Sequence, residues 1–423
     1  MMKKSPFEGF SQLNLKGRKD ALRKTVDLNQ EDFEILAGKK GLNLELANYL
    51  VENVIGLFSL PLAVAPHFLI DGKDVVVPMA IEETSVVAGV SNAAKTIRQS
   101  GGFQTQVISH LSIGQIQFPK LSNPEKFQKI IEKNKKILIS QANECIPGLV
   151  KRGGGVKKIE LRVLERLDGG HMGVLHVLFH TCDAMGANLI NQTCENLKPS
   201  LQTLTGENIN LCILSNLTDS KLVKASCEIE NMDGELAEAI EEATLFAKLD
   251  PYRASTHNKG IMNGIDAVLI ATGNDWRAVE AGIHAYAALS GRYQAVSDWK
   301  YEGGKLKGTM SLPMALGIVG GVTRSHPTAK TALKLMQIES SEHLSRICAA
   351  VGLAQNFAAL RALCAEGISY GHMKLHTSNL ALQAGAGESE IPLVQKELQK
   401  CETKTLEAAK KILETIRSQN ELN

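Results

Sequence analysis

Between about residues 106 and 217 the hydrophobic pattern switches repeatedly between period two and period 3.6, and this succession constrains the fold more than any other feature. Val107 to Phe118 predicts a strand and Pro124 to Asn143 a helix. Lys158 to Glu165 and Met172 to His180 alternate apolar with polar around the turn Asp168-Gly169-Gly170. A helix from Ala184 to Leu204 and a strand from Ile209 to Leu214 follow. Strand–helix–strand–strand–helix–strand is the split βαβ order of ferredoxin-like domains. Helix-rich sequence flanks the block on both sides. The expected class is therefore α+β, with a small ferredoxin-like domain (106–217) interrupting a large mixed helical and strand domain (1–105 plus 218–368).

The flanks carry their own punctuation. Phe68-Leu69-Ile70 and Val75-Val76-Val77 surround Asp71-Gly72, a hairpin signal. Thr84 to Ile97 predicts a helix that stops at Ser100-Gly101-Gly102. Asp275 to Leu289, Thr328 to Ile338 and Leu344 to Glu366 are helical by period, with strands around Gln294 to Trp299 and Lys305 to Leu312. Ile391 to Ile416 predicts one amphipathic helix beyond Gly385-Ala386-Gly387, so residues 369–423 are expected to form a helical C-terminal flap.

Composition narrows the function classes. Of 423 residues 44% are hydrophobic, enough for a large core and against disorder as the main state. Lys plus Arg number 47 against 45 Asp plus Glu, and aromatics are 4%, which argues against nucleic acid as a partner. The eight cysteines are scattered, with neither CxxC nor zinc-type Cys/His spacing, so reduced thiols and no metal centre are expected. Met1 to Pro6 is basic without a following apolar stretch, and the apolar run Ile55 to Pro66 is shorter than the roughly 20 residues that span a bilayer. The expectation is a cytoplasmic protein with no membrane partner.

Tyr252 to Gly264 is dense in donors. Arg253 suits bidentate binding of a carboxylate, and Lys259 suits a developing oxyanion. A polar turn with solvent-facing charges accounts for the same residues. No G-x-G-x-x-G follows a strand, so no Rossmann site is expected. Asp183 to Asn188 opens a helix directly after a strand, where backbone amides can meet a pyrophosphate. On spacing alone, a helix capped by Asp183 is the more ordinary reading. Basic residues outnumber acidic ones between Lys126 and Lys158, which fits a phosphate-rich ligand or a solvated face.

Taken in order, Glu52-Asn53-Val54-Ile55-Gly56 leading to Pro78-Met79-Ala80-Ile81-Glu82-Glu83-Thr84-Ser85, then Asp183-Ala184-Met185-Gly186-Ala187-Asn188, the Tyr252–Gly264 segment, Ala271-Thr272-Gly273-Asn274-Asp275-Trp276-Arg277-Ala278-Val279-Glu280 and Gly371-His372-Met373 cover the chain from about 45 to 380. This series resembles hydroxymethylglutaryl-coenzyme A reductase of the bacterial class II type. The resemblance implies two hydride reductions of hydroxymethylglutaryl-CoA, through a hemithioacetal and an aldehyde, to mevalonate and coenzyme A. It implies Glu83, Lys259, Asp275 and His372 as catalytic residues. Ser85, Arg253, Asn263 and Gln355 match substrate-side positions. Asp183, Met185, Gly186, Ala187, Asn188 and Asn216 match the nicotinamide dinucleotide site. Composition alone leaves Glu82 beside Glu83, Asp266 beside Asp275 and His376 beside His372 open; motif position selects the second of each pair. Lys151-Arg152 before the triple glycine offers cations for a 2′-phosphate, so NADPH is expected over NADH, although Glu144 upstream suits NADH. The resemblance further implies a homodimer, or a higher homo-oligomer, with the active site at the subunit interface.

Overall fold

The computed structural model describes residues 4–365, 377–387, 389–401 and 403–421. Helices α1 to α3 (Leu15–Thr25, Gln30–Leu36, Leu44–Leu50) lead into the hairpin β1 (Leu62–Ile70) and β2 (Lys73–Ala80). Its turn uses Asp71 at φ 50 and Gly72 at φ 79, the left-handed pair whose twist matches antiparallel strands. After α4 (Val86–Arg98), β3 (Phe103–Val107) joins β1 in parallel. With β8 (Leu222–Glu230), β9 (Ser297–Glu302) and β10 (Lys305–Pro313) these form a six-stranded sheet in the order β2-β1-β3-β8-β10-β9.

The predicted strand Val107–Phe118 is two strands in two sheets. β3 ends at Val107, and β4 (Leu111–Phe118) belongs to a four-stranded sheet ordered β5-β6-β4-β7. The break at 108–110 is held against the returning chain: Leu111 N–H donates to the Ser220 carbonyl at 2.7 Å, and Leu222 N–H to Ser109 Oγ at 3.0 Å. The second sheet comprises β4, β5 (Gly155–Glu165), β6 (His171–His180) and β7 (Cys212–Ser215). Between them lie α5 (Pro124–Glu144), α6 (Pro147–Lys151) and α7 (Ala187–Thr205). β6 lies antiparallel between β4 and β5, the ferredoxin-like arrangement, and α5 and α7 bury Phe127, Ile131, Ile190 and Leu197 over the sheet.

The large sheet is covered by α8 (Gly234–Leu249), α9 (Pro251–Ala271), α10 (Trp276–Ala287), short helices α11 (Gly321–Ser325) and α12 (Pro327–Leu335), and α13 (Ser341–Cys364). The polar segment 252–264 is thus helix, not turn: Pro251 occupies the first turn, and Asp250 Oδ2 accepts Arg253 N–H at 2.8 Å. Among the described residues α13 alone is long and apolar enough to cross a membrane, but 67% of its apolar window is buried inside the protein. It is the central core helix, with Leu344, Ile347, Val351, Leu353 and Phe357 all inaccessible. The stretch 391–416 divides into α14 (Ile391–Leu398) and α15 (Leu406–Glu421), because polar residues 399–405 interrupt the apolar period. Together with Leu380 and Ala381 these helices enclose a small core of their own.

Candidate active site

Helix α9 is the platform. Ala254, His257, Ile261, Ile265 and Val268 turn its underside into the core. The opposite stripe, at helical spacing, carries Tyr252, Lys259, Asn263 and Asp266. A polar network ties the helix to its neighbours beneath, leaving His257 Nδ1 without a hydrogen-bond partner. His257 Nε2 lies 2.7 Å from Ser297 Oγ and accepts from Asn356 Nδ2 at 3.0 Å, while Trp299 Nε1 donates to Asn356 Oδ1 at 2.7 Å. Burial pushes the His257 imidazole down to about 3, so it is neutral and holds the helix in place.

On the open side Lys259 Nζ donates to Glu83 Oε2 at 3.0 Å across 176 residues of sequence. Glu83 comes from the loop between β2 and α4 and is the glutamate that meets the ammonium, not its neighbour Glu82. The two side chains stay 61% and 41% exposed, open to a ligand. Two residues on, Ser85 heads α4 at φ 73, a left-handed conformation costing of order 1 kcal/mol for a residue with a Cβ. Its Oγ is shielded and has no hydrogen-bond partner.

Asp275 is not gathered into this pair. It caps α10, its Oδ1 accepting Ala278 N–H at 3.1 Å and lying 3.5 Å from Arg277 Nε, and it makes no ion pair with Lys259. Glu83 is the carboxylate that the described residues bring within ion-pair distance of Lys259. Arg253 sits half-buried in the first turn of α9 and loses some basicity to desolvation. Gln355 on α13 is buried, although a helical glutamine is ordinarily solvated. A Cβ at Gly264 would lie 2.9 Å from Gln355 Cβ, so that glycine lets the two helices close around it. Gln355 Oε1 is likewise left without a partner.

The segment from Asp183 to Asn188 differs from a capped helix. α7 begins at Ala187, its N-cap is Gly186 at φ 95, and no side chain caps it. Asp183, the expected cap, accepts Ser341 N–H at 2.9 Å instead. A Cβ at Gly186 would fall 2.6 Å from Thr181 Cγ2, so only glycine fits. The helix thus presents unclaimed amides, the arrangement that receives a phosphate. Asn188 lies exposed in the first turn. Met185 and Asn216 line a cleft together with Ile190, Ala278, Val279 and Pro313, which sets the start of α7 beside α10.

Sequence reasoning missed how these parts are joined. Asn274 Oδ1 accepts Gly317 N–H at 2.9 Å, and a Cβ on Gly317 would lie 2.7 Å from Met185 N. The α9–α10 turn is thereby tied to the loop entering α7. Asp266, which motif position passed over in favour of Asp275, shares a hydrogen bond with Glu280 on α10. Burial first, and then this like-charged neighbour, push Asp266 up to about 8. No periodicity marks such contacts, since each needs two helices already packed.

A core that brings Lys259 of α9 onto Glu83 of the β2–α4 loop, joined to a split βαβ unit whose helix α7 has no side-chain cap, defines an α+β protein of two linked units. Residues 14–377 match the sequence profile of the family described as hydroxymethylglutaryl-coenzyme A reductase. A 3-hydroxy-3-methylglutaryl-coenzyme A reductase of Archaeoglobus fulgidus is 46% identical over 98% of this chain and 95% of its own. A solved Streptococcus pneumoniae 3-hydroxy-3-methylglutaryl-coenzyme A reductase superposes with a TM-score of 0.83 at 41% identity, covering 97% of this chain and 99% of that one. A class II structure from the same organism, bound to NADPH in open conformations, gives 0.82 at 41% identity over 84% of this chain and 99% of that one. The chain belongs to the hydroxymethylglutaryl-coenzyme A reductase family, in its class II form, and is an oxidoreductase.

Proposed function

We propose that this protein reduces the thioester of hydroxymethylglutaryl-CoA twice, by way of a hemithioacetal and then an aldehyde, to mevalonate and coenzyme A, reversibly and with NADPH preferred over NADH. The observation that carries this reading is the Lys259–Glu83 pair, 3.0 Å apart on the open face of α9. The ammonium of Lys259 stabilises the oxyanion that develops at each reduction. Glu83, hydrogen-bonded to it, is placed to relay a proton to that oxygen, and Asp275 is the site's second carboxylate. Arg253 clamps the free carboxylate of the substrate, with Ser85, Asn263 and Gln355 as hydrogen-bond partners. His372 lies outside the described residues; its role as proton donor to the departing thiolate rests on its motif and on imidazole titrating near 6.5, roughly two units below a thiol.

The bare N-terminus of α7 fits a pyrophosphate, with the amides of Met185, Gly186 and Ala187 as donors and Asn188 and Asn216 flanking them. The reduced nicotinamide supplies the hydride. Cys182 Sγ lies 3.6 Å from the Arg152 carbonyl, so the Lys151-Arg152 turn adjoins the loop entering α7, which supports NADPH. Asn143 is engaged with the backbone of Val156, and Glu144 accepts from Ser140 Oγ.

We place the inserted small domain at 106–217, the large domain on either side, and the flap at 369–423. The self-contained core of the last helices supports a body that closes over bound ligands. Tyr49, Ile55 and Phe58 stand 80%, 100% and 92% exposed around the Glu52–Gly56 motif, a surface that a second copy would cover, and this supports a homodimer. We place the enzyme in the cytoplasm. The test is loss of NADPH absorbance on adding the thioester, with the NADPH and NADH specificity constants compared. Oxidation of neither nicotinamide would sink the reading, and a preference for NADH would overturn the cofactor assignment.

A further inference from the structure

The chain passes between its sheets at 108–110 and again at 216–221, and at this junction three metal-ligating side chains converge from separate elements. His110 lies in the first crossing, His180 ends β6, and Glu342 opens α13. One ligand atom from each lies within 4.8 Å of the others. His110 Nδ1 is 2.6 Å from Glu342 Oε1, and the two imidazoles meet edge to face with centroids 5.9 Å apart. The reduction chemistry described above uses none of them.

We propose that His110, His180 and Glu342 form a binding site for a divalent transition-metal ion of the zinc class, which clamps the four-stranded unit to the large sheet. Two imidazoles and a carboxylate suit such an ion, whereas magnesium and calcium prefer shells of oxygen. Donors around a tetrahedral zinc stand roughly 3.4 Å apart. The required contraction is a matter of side-chain rotation, and His110 and Glu342 are open enough to make it. The Gly153 backbone hydrogen-bonds the His180 ring, an outer contact of the kind that orients a coordinating imidazole. Cys182 Sγ lies 3.9 Å from His180 Nδ1, within reach as a fourth donor. Lys221 opposes a cation here, its ammonium donating to Thr181 Oγ1 at 3.0 Å and Ser112 Oγ at 3.4 Å, but Asp183 and Glu342 both face it.

The location gives the ion a consequence. The loop from His180 to Gly186 leads directly into the bare end of α7, and Ser341, next to Glu342, already bonds Asp183 and the Cys182 carbonyl. An ion at the junction fixes the cradle relative to α9 and slows any turnover that needs the two units to adjust. That slowing rests on the reductase reading; the binding does not.

The test titrates the metal-free full chain with zinc chloride against a chromogenic chelator, and with cobalt chloride for visible absorption. The expected result is one zinc per chain, with the intense bands of four-coordinate cobalt. His180→Gln and Glu342→Gln should each weaken binding by more than the roughly 10–100-fold that loss of an outer-shell partner costs. Zinc should raise the unfolding midpoint of the parent chain and not of the variants, and metal-free turnover should stay the same in all three. Equal zinc affinity in parent and variants, or no binding at micromolar zinc, would overturn the site. Zinc bound at the site with turnover unchanged would overturn the clamp.

Discussion

Asp266→Asn should abolish a specific loss of stability that the parent chain suffers as pH rises through neutrality. Unfolded, the carboxyl titrates near 3.8; folded against Glu280, it titrates near 8. Between these values the folded protein holds a proton that the unfolded chain lacks. Its contribution to stability is therefore fullest below the unfolded value and is lost as pH climbs towards 8. His257 acts in the opposite sense, with a folded value of about 3 against 6.5 unfolded, so its effect is complete above about 6.5. From about 6.5 to 8 the fall belongs to the carboxyl pair, opposed towards the upper end by Lys221, which burial holds down to about 8. At about 1.4 kcal/mol per unit that interval bounds the loss at ~2 kcal/mol, and partial access of water reduces it to ~1 kcal/mol. In the variant the amide donates permanently to Glu280, and the slope disappears. Urea unfolding followed by the fluorescence of buried Trp299, at several pH values across the interval, measures this directly. Parallel pH dependence in parent and variant would refute the reasoning.

Lys259→Met should lower turnover about 10²–10³-fold, with the urea midpoint nearly unmoved because both members of its ion pair are exposed; a loss under tenfold would remove Lys259 from the oxyanion role. Asn356→Leu leaves Trp299 Nε1 without its partner and takes one of two partners from Ser297 and from His257, and should destabilise by about 2–4 kcal/mol in urea; a near-neutral result would mean that the network is not needed. Gly282→Ala puts a Cβ 2.5 Å from the Asn216 carbonyl, and overpacking of about 1–3 kcal/mol should raise the KM for NADPH more than that for the thioester; an unchanged cofactor KM would separate Asn216 from the nicotinamide. His372→Gln should spare reduction of free mevaldehyde while slowing that of the thioester, and equal slowing of both would reject the thiolate-donor role.

Local pattern alone determined much of this molecule. The Asp71-Gly72 hairpin, the alternating strands β5 and β6 and the long helix α5 follow from turn chemistry and from period two or 3.6, which depend on neighbours a few residues away. Motif order made Glu83 and Lys259 nameable before any coordinates, but not their 3.0 Å contact across 176 residues. Pattern failed where polar function overlies structure. α9 left a turn open as a reading because Lys259 and Asn263 face outward and its buried side mixes His257 and Asn258 with Ile261 and Ile265. Val107–Phe118 looked like one strand because no glycine or proline marks the crossing at 108–110, where the chain changes sheets. Asp183 looked like a helix cap, but the arrival of Ser341, 158 residues later, claims its carboxylate and leaves α7 bare. The meeting of Asp266 with Glu280, the burial of Gln355, and the convergence of His110, His180 and Glu342 were decided only in the tertiary structure. Each depends on closing a long loop and packing one element on another, and a side chain's periodicity carries no record of which distant partner that packing will bring.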